Sequence, residues 1–243
     1  MPARAESRHE LVAEEPVAMV FDGTSVAVMM ASPSDIEDFA VGFALTEGFV
    51  GGLADIKAFE PVTHPKGIEA RIWLREERSD AFAARRRSMA GPVGCGLCGL
   101  ESLDQACRSV PVLPRGALCL SFDDLNTATR ALRAFQPMHD RTRAVHCAGF
   151  LRPGEGVVLA REDVGRHNAL DKLIGALVRQ GIDPASGALV VTSRISVELV
   201  QKSAIAGCPA LIAVSAPTAY AVEVAETAGV TLAAFCRGDG FEV

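Results

Sequence analysis

Short apolar runs that alternate with helical segments dominate the second half of the chain. The apolar runs cover residues 157–160, 188–191, 210–214 and 230–235, and the segments between them, 164–180, 195–206 and 217–228, read as helices. Continuous apolar strands that alternate with helices are typical of a sheet buried on both faces. The pattern therefore predicts an α/β fold in which a parallel sheet lies between two helical layers.

The first half of the chain has a different pattern, which is typical of a smaller α+β lobe. Residues 17–30 read as two strands around Asp22-Gly23, a strong hairpin signal. A helix capped by Ser34 or Asp35 follows, and residues 53–76 read as a second strand pair. We expect an N-terminal lobe over residues 1–120, with a mobile loop at about 76–100, and an α/β domain over residues 121–243.

Charge and composition exclude several classes of protein. The net charge of −6 argues against a general nucleic-acid binder, which normally presents a basic face. Residues 203–222 carry no charge but are interrupted by Gly207, Pro209 and Pro217, so no membrane span is expected. The seven cysteines and the polar first ten residues indicate free thiols in a reducing cytoplasm.

Polar and basic residues follow each apolar run of the predicted sheet. Because ligands of open α/β sheets bind where helix N-termini meet the strand ends, these turns are candidate anion sites that suit a phosphorylated ligand such as a nucleotide. Asp163, His167 and Asp171 are predicted to share one helix face. For Ser215 and Thr218, the alternative interpretation is that their side chains only cap the helix that follows. The candidate residues are Asp163, Arg166, His167, Asn168, Ser193, Arg194, Ser196, Ser215, Thr218, Arg237, Gly238, Asp239 and Gly240.

Two thiols, Cys95 and Cys98, lie in the glycine-flanked stretch Gly94-Cys95-Gly96-Leu97-Cys98-Gly99. A structural zinc site would need a second ligand pair at comparable spacing, and none is present in the sequence. The signatures of a zinc deaminase and of a thioredoxin-like redox site do not fit either. Sulfur handling on a flexible loop fits best, no metal is expected, and a disulfide-cycling redox protein stays an alternative. The cationic run at Arg85, Arg86 and Arg87 either stabilises a thiolate or is a solvated surface.

The chain resembles the formate dehydrogenase accessory sulfurtransferase family, formate dehydrogenase formation protein D. Three blocks carry the resemblance: the thiol stretch at 94–99, the stretch at 161–172, and the stretches at 193–198 and 215–218 that lead to Phe235-Cys236-Arg237-Gly238. Residues 38–48 are also similar. The chain departs from the family pattern before His146, where bulkier residues replace glycines, and at Leu100.

The resemblance implies a fold and a sulfur relay. The fold would be a cytidine-deaminase-like three-layer α/β/α domain without the deaminase zinc site, usually in a homodimer. A cysteine desulfurase would load a persulfide onto Cys95, assisted by Cys98. The sulfur would pass to the molybdenum of a bound bis(molybdopterin guanine dinucleotide), which the formate dehydrogenase catalytic subunit needs, and Phe235, Cys236, Arg237, Gly238, Asp239 and Gly240 would contact that cofactor. A non-catalytic carrier of the cofactor is the alternative.

Overall fold

The computed structural model describes residues 10–79, 109–116, 118–237 and 240–243, which form two sheets with helices packed against them. The strands are β1 (Glu15–Phe21), β2 (Thr24–Ala31), β3 (Ile56–His64), β4 (Gly67–Leu74), β5 (His146–Arg152), β6 (Gly156–Asp163), β7 (Ala188–Val191), β8 (Ala210–Ala213), β9 (Thr231–Arg237) and β10 (Gly240–Glu242). The α-helices are α1 (Ile36–Thr46), α2 (Phe122–Leu132), α3 (Pro137–Thr142), α4 (Arg166–Arg179), α5 (Val197–Ile205) and α6 (Ala219–Ala228). Within the described ranges, no helix is long and apolar enough to cross a membrane.

The smaller sheet has the strand order β2-β1-β4-β3 and confirms the predicted hairpin and strand pair. Asp22 and Gly23 form the β1–β2 turn with positive φ angles of 46° and 76°, as a tight hairpin turn requires. Alternate residues of β4 are buried and pack against α1 through Phe39 and Phe43. This half of the fold follows directly from the alternation of apolar and polar residues.

The start of α1 differs from the expected side-chain cap. Asp35 precedes the helix in a left-handed conformation, with φ of 52°, and its side chain makes no hydrogen bond to the first turn. The carboxylate instead lies 3.4 Å from Nε of Arg161 on β6. The prediction of a side-chain cap at this residue was wrong because a partner far away in the sequence takes the carboxylate.

The larger sheet has the strand order β10-β9-β8-β7-β5-β6 and is covered on both faces. Helices α4, α5 and α6 pack against one face, and α2 packs against the other. The predicted three-layer α/β/α arrangement is therefore confirmed. The prediction of a purely parallel sheet was wrong, because only the pairs β7–β8 and β8–β9 are parallel and β5 is antiparallel to both of its neighbours.

Strand β5 is the element that the sequence pattern did not reveal. It joins β6 through a hairpin in which Gly154 and Gly156 have φ angles of 74° and 79°. The same pairing places Asp163 at the end of β6 rather than on a helix, and α4 begins only at Arg166. The expectation that Asp163, His167 and Asp171 share a helix face was therefore wrong.

Two glycines allow α1 of the small sheet to contact α4 of the large one closely. A Cβ atom at Gly42 would lie 1.8 Å from the carbonyl oxygen of Asp171, and a Cβ atom at Gly175 would lie 1.9 Å from that of Asp38. Neither distance is sterically allowed, so both positions need glycine. The crossing holds the small sheet against the helical layer of the large one.

Residues 109–116 pack against the large sheet and not against the small one. Leu113 donates its backbone N–H to the carbonyl of Ala228 at the end of α6, and Val110 packs on the same core. The division of the chain at residue 120 stays a prediction.

We expect Gly42→Ala to lower the free energy of unfolding by about 3 kcal/mol, the upper part of the range for overpacking, because the backbone of α4 must move. Urea denaturation followed by circular dichroism measures the change. Gly52→Ala is the matched control, because Gly52 has an extended φ of 173° and open space around it. Equal stability of the two variants would contradict the close crossing.

Candidate functional site

The strand-end turns of the large sheet lie at one edge, at which the parallel strands β7, β8 and β9 end; we call it the carboxyl edge. Strand β6 also ends there, since its last residue, Asp163, pairs with His146, the first residue of β5. The turn after β7 is bonded to the start of β5 at this edge, because the Thr192 hydroxyl accepts the backbone N–H of Cys147 at 2.9 Å. The turn after β8 is linked to β9, where the Phe235 N–H donates to the carbonyl of Ser215 at 3.4 Å.

Asp163 is the most fully bonded side chain at this edge. Its Oδ1 accepts the backbone N–H of Gly165 at 2.8 Å and the side-chain amide of Asn168 at 2.9 Å. Its Oδ2 accepts the backbone N–H of Ser32 at 3.0 Å and lies 2.6 Å from Nζ of Lys172. Both carboxylate oxygens are thus occupied within the protein, and Asp163 acts on the edge by shaping the turn before α4.

Lys172 and Asp163 form an ion pair with no solvent exposure at all. The ammonium of Lys172 also donates to the carbonyl of Ser32 at 2.9 Å and lies 5.8 Å from the centre of the Phe39 ring. Because an isolated charge is very costly in such a place, the pair and its hydrogen bonds must form together. They fix the end of β2 against the first turn of α4.

A second buried ion pair joins α4 to α5. Nζ of Lys202 lies 2.9 Å from Oδ2 of Asp171 and donates to Thr46 and Glu47 at the end of α1, each at 2.8 Å. Burial alone lowers the pKa of Lys202, but the carboxylates of Asp171 and Glu47 outweigh it and raise that pKa overall. The ammonium group of Lys202 on α5 therefore contacts side chains at the end of α1 and on α4, behind the carboxyl edge.

Four polar side chains on the first turns of α4 and α5 form what we call the edge cluster: Arg166, His167, Ser196 and Glu198. Nε2 of His167 lies 3.8 Å from Oε2 of Glu198. Interaction with the His167 ring, and more weakly with the Ser196 hydroxyl, outweighs the opposing effect of burial and lowers the pKa of the Glu198 carboxyl to about 2. Glu198 is therefore a carboxylate at neutral pH.

His146 lies beside the edge cluster and is half-buried. Its Nδ1 lies 3.4 Å from the Thr192 hydroxyl. Burial, followed by the charges of Arg166, His167 and His139, lowers the pKa of His146. A neutral imidazole at this position can accept a proton or a hydrogen bond from a ligand. Glu198, His146 and Thr192 were not selected as site residues, although all three lie in or beside stretches that the sequence analysis singled out. An acid in a first helical turn is common, and the altered residues before His146 left its role open.

The other predicted site residues differ in how they are placed. Ser193 is buried and donates to the carbonyl of Arg194, which itself is exposed. Thr218 caps α6 by accepting the N–H of Ala221 at 3.3 Å, so the simpler capping interpretation holds there. Asn168 is buried and donates to the carbonyl of Met30 as well as to Asp163. Ser215 is half-buried on its turn.

The segment around the end of β9 is described only in part. Phe235 has a positive φ of 53°, which turns the chain just before the strand ends, and Gly240 opens β10 beside Arg237. Cys236 is fully buried against α2, and its carbonyl accepts a hydrogen bond from the Thr129 hydroxyl of that helix. Cys95, Cys98, Gly238 and Asp239 lie outside the described residues, as do the predicted loop and its arginines.

Three further cysteines are packed as apolar residues, as expected from the sequence. Burial raises the pKa of Cys147 and of Cys208 to about 12 and that of Cys236 to about 11. These thiols are protonated at neutral pH and are poor nucleophiles. Cys119 is exposed. Among the described residues, no group of three or more histidines, cysteines or acids is placed to hold a metal ion.

A cavity of about 510 Å³ lies at the opposite edge of the large sheet from the edge cluster. It is lined mainly by apolar residues of the segment before α2, by α6 and by the starts of β8 and β9, among them Leu118, Ile212 and Val230. None of the predicted site residues lines it.

Comparison with known proteins agrees with this α/β fold. The crystal structure of a candidate formate dehydrogenase accessory protein from Desulfotalea psychrophila matches 96% of this chain and 87% of its own with a TM-score of 0.73 at 23% identity, which shows a shared α/β fold. Residues 12–243 match the model of the FdhD/NarQ family. The chain belongs to the FdhD/NarQ family.

Curated relatives extend over nearly the whole chain. The "Sulfur carrier protein FdhD" of Agrobacterium fabrum is 54% identical over 230 residues, which are 95% of this chain and 85% of the relative. The protein of the same name from Bordetella bronchiseptica is 51% identical over 239 residues, 98% of this chain and 85% of the relative.

We expect Lys172→Met to lower the free energy of unfolding by about 3–5 kcal/mol, because Asp163 then keeps a buried charge without a counter-ion. Adding Asp163→Asn removes that charge, so the double variant should be more stable than Lys172→Met alone. Urea denaturation of Lys172→Met, Asp163→Asn and the double variant measures this, with the exposed Lys57→Met as control. Simple addition of the two single effects would show that the pair is not coupled.

The lowered pKa of His146 predicts how stability depends on pH. Between its folded pKa and the higher unfolded value, the unfolded chain binds more protons, so this histidine makes the protein less stable as the pH falls through 6.5. His146→Gln removes that contribution. Denaturation at pH 7.5 and 5.5 should show a smaller loss of stability at acid pH in the variant than in the wild type. A larger loss in the variant would mean that the folded state favours the protonated ring.

Proposed function

We propose that this protein is a sulfurtransferase that takes persulfide sulfur from a cysteine desulfurase and delivers it to the molybdenum of bis(molybdopterin guanine dinucleotide), as formate dehydrogenase requires for activity. Its family and the name shared by its relatives, sulfur carrier protein FdhD, support a role in sulfur transfer. The cofactor is the substrate that receives the sulfur.

The observation that carries this proposal is the convergence of helix N-termini at one polar edge. Helices α4, α5 and α6 each start directly after a strand end of the large sheet. Their free N–H groups and dipoles favour anions, and Arg166 and Arg194 add positive charge next to them. A dinucleotide with several phosphates matches this arrangement better than a small neutral ligand does.

The sulfur chemistry needs a nucleophile that the buried thiols cannot supply. Cys147, Cys208 and Cys236 hold their protons and are closed to a partner protein. We assign the first step to Cys95. Its thiolate attacks the outer sulfur of the donor persulfide, the S–S bond of the donor breaks, and the donor cysteine leaves as a thiolate. No net oxidation occurs in this exchange, and Cys98 assists.

In the delivery step the S–S bond of the Cys95 persulfide breaks, the outer sulfur becomes a sulfido ligand of the molybdenum and Cys95 returns to the thiolate. The two electrons that reduce this sulfur would come from molybdenum(IV), which becomes molybdenum(VI). The carboxyl edge would hold the nucleotide ends of the cofactor meanwhile, with Phe235 to Gly240 in contact with it. The partners implied are the cysteine desulfurase and the catalytic subunit of formate dehydrogenase. A cytoplasmic homodimer belongs to the same proposal.

Persulfide loading of one cysteine is the test. After incubation with a cysteine desulfurase and cysteine, the peptide that contains Cys95 should gain the mass of one sulfur atom, and reductant should remove it. Cys95→Ala should abolish the gain. Cys119→Ala is the matched control, because it removes an exposed cysteine elsewhere and should leave the gain unchanged.

The opposite results favour the non-catalytic carrier. If Cys95 gains no sulfur while the protein stays folded, and if Cys95→Ala still supports formate dehydrogenase maturation, the protein carries the cofactor without transferring sulfur. Loading of Cys119 in place of Cys95 would also overturn the assignment.

A further inference from the structure

The cavity at the opposite edge of the large sheet from the edge cluster is large enough to hold a small molecule. Its volume of about 510 Å³ lies within the usual range of ligand pockets, roughly 300–1,000 Å³. Its walls come from the segment before α2, from the end of α6, and from the starts of β8 and β9. Apolar surface that lines a concave space of this size is typical of a binding site.

Residues 113–116, which we call the strap, run along one side of this cavity and are held on the end of α6. The backbone N–H of Leu113 donates to the carbonyl of Ala228 at 2.8 Å. Gly229 ends α6 with a positive φ of 71°, and a Cβ atom at this position would lie 2.5 Å from the carbonyl oxygen of Leu113. The strap therefore contacts the helix end at a distance that only glycine allows, and the cavity beside it is part of the packed structure.

Most of the cavity wall is apolar. Leu118, Leu120 and Leu125 line it from the segment before α2 and from α2 itself, and Ile212 and Val230 line it from the sheet. The three leucines pack on the core of the large sheet but remain only partly buried. An apolar ligand body would take the rest of their surface out of water, which is favourable in proportion to the area that it covers.

Arg115 of the strap places a cation beside this apolar wall. The residue lines the cavity and is exposed. Its Nη2 donates to the carbonyl of Glu226 in the last turn of α6 at 3.0 Å, and the carbonyl end of a helix favours a cation, so the guanidinium is held in place. No residue in the described ranges forms an ion pair with Arg115. Its remaining N–H donors can therefore bind a carboxylate through both oxygens.

Glu226 is the other charged residue that lines the cavity, and it restricts the ligand further. In the part of the chain that the structure describes, no hydrogen bond or ion pair fixes its exposed carboxylate, whereas Arg115 is fixed on α6. The fixed charge favours an anionic head group over a cationic one. A phosphate with two negative charges would be repelled by Glu226 and by the carbonyl end of α6, so an anion with a single charge fits best.

We propose that this cavity binds a small amphipathic carboxylate, whose head group lies on Arg115 and whose aliphatic or aromatic body lies between the strap and the starts of β8 and β9. The planar carboxylate matches the planar guanidinium, and the body covers the three partly buried leucines. The site is separate from the carboxyl edge and does not depend on the proposed function.

Calorimetry on the full chain with four probes tests this proposal. The probes are octanoate, octanol, octylammonium and acetate, each used below the concentration at which it forms micelles. Octanoate should bind about 10-fold more tightly than octanol, the difference expected from one hydrogen bond to a charged group. Octylammonium should bind more weakly than octanol. Acetate has the head group without the apolar body and should not bind at the same concentration.

Two variants at exposed positions show where the probes bind. Arg115→Gln keeps a side chain that can donate hydrogen bonds but removes the charge, so the ratio of the octanol and octanoate dissociation constants should fall to near one. Arg130→Gln, on α2 and outside the cavity, is its matched control. Thr231→Phe places an aromatic ring in the cavity wall and should abolish binding of both probes. Thr227→Phe, on α6 and outside the wall, should leave binding unchanged.

Four results would overturn the inference. Equal binding of octanoate and octanol by the wild-type protein would mean that Arg115 does not recognise the head group. Tighter binding of octylammonium than of octanoate would mean that Glu226 selects a cation. Binding that persists in Thr231→Phe would lie elsewhere on the protein. If no probe binds, the cavity does not take an amphipathic carboxylate, and dissociation of a dimer by Thr231→Phe in size-exclusion chromatography would show that a second copy of the chain covers it.

Discussion

The buried ion pair between Asp163 and Lys172 is the interaction on which the carboxyl edge depends. Neither charge has any solvent exposure, so each must be compensated by the other and by hydrogen bonds to Ser32, Gly165 and Asn168. Those partners lie on both sheets and on the first turn of α4. The pair can therefore form only when the two halves of the fold are in register. The position of the edge cluster is a consequence of that register.

The small sheet consequently acts as a support for the carboxyl edge. Its helix α1 approaches α4 so closely that glycine is required at Gly42 and Gly175. The end of α1 also reaches Lys202 on α5. The two helices that carry the edge cluster are thus both held from behind by α1. Relative movement of α4 and α5 would break buried ionic contacts, which keeps the first turns of these helices in fixed positions.

Sequence reasoning succeeded where structure is set by local patterns and failed where it is set by distant partners. Alternation in β4 and the Asp22-Gly23 turn predicted the small sheet, and the apolar runs predicted the layers of the large one. Asp163 was misplaced because its partner Ser32 is far away in the chain, and an Asp before a helix resembles an ordinary cap. Strand β5 was missed because its place in the sheet depends on antiparallel pairing with β6 and β7, which the local sequence does not show. Glu198 carried no signal, since acids are common in first helical turns.

In the proposed mechanism, cofactor binding and sulfur chemistry are separated along the chain, for a physical reason. A site that holds a cofactor in one position needs side chains fixed within tenths of an ångström, and buried ion pairs behind α4 and α5 hold the first turns of these helices in place. A thiol that accepts sulfur from one protein and gives it to a cofactor must be reachable by both. The thiols packed into the large sheet are rigid and closed, and burial keeps them protonated. Cys95 and Cys98 lie instead in the stretch of sequence between β4 and α2. The proposal therefore assigns the nucleophile to a cysteine outside the packed cores that the structure describes, where the pKa of the thiol is not raised by the burial that protonates Cys147 and Cys208.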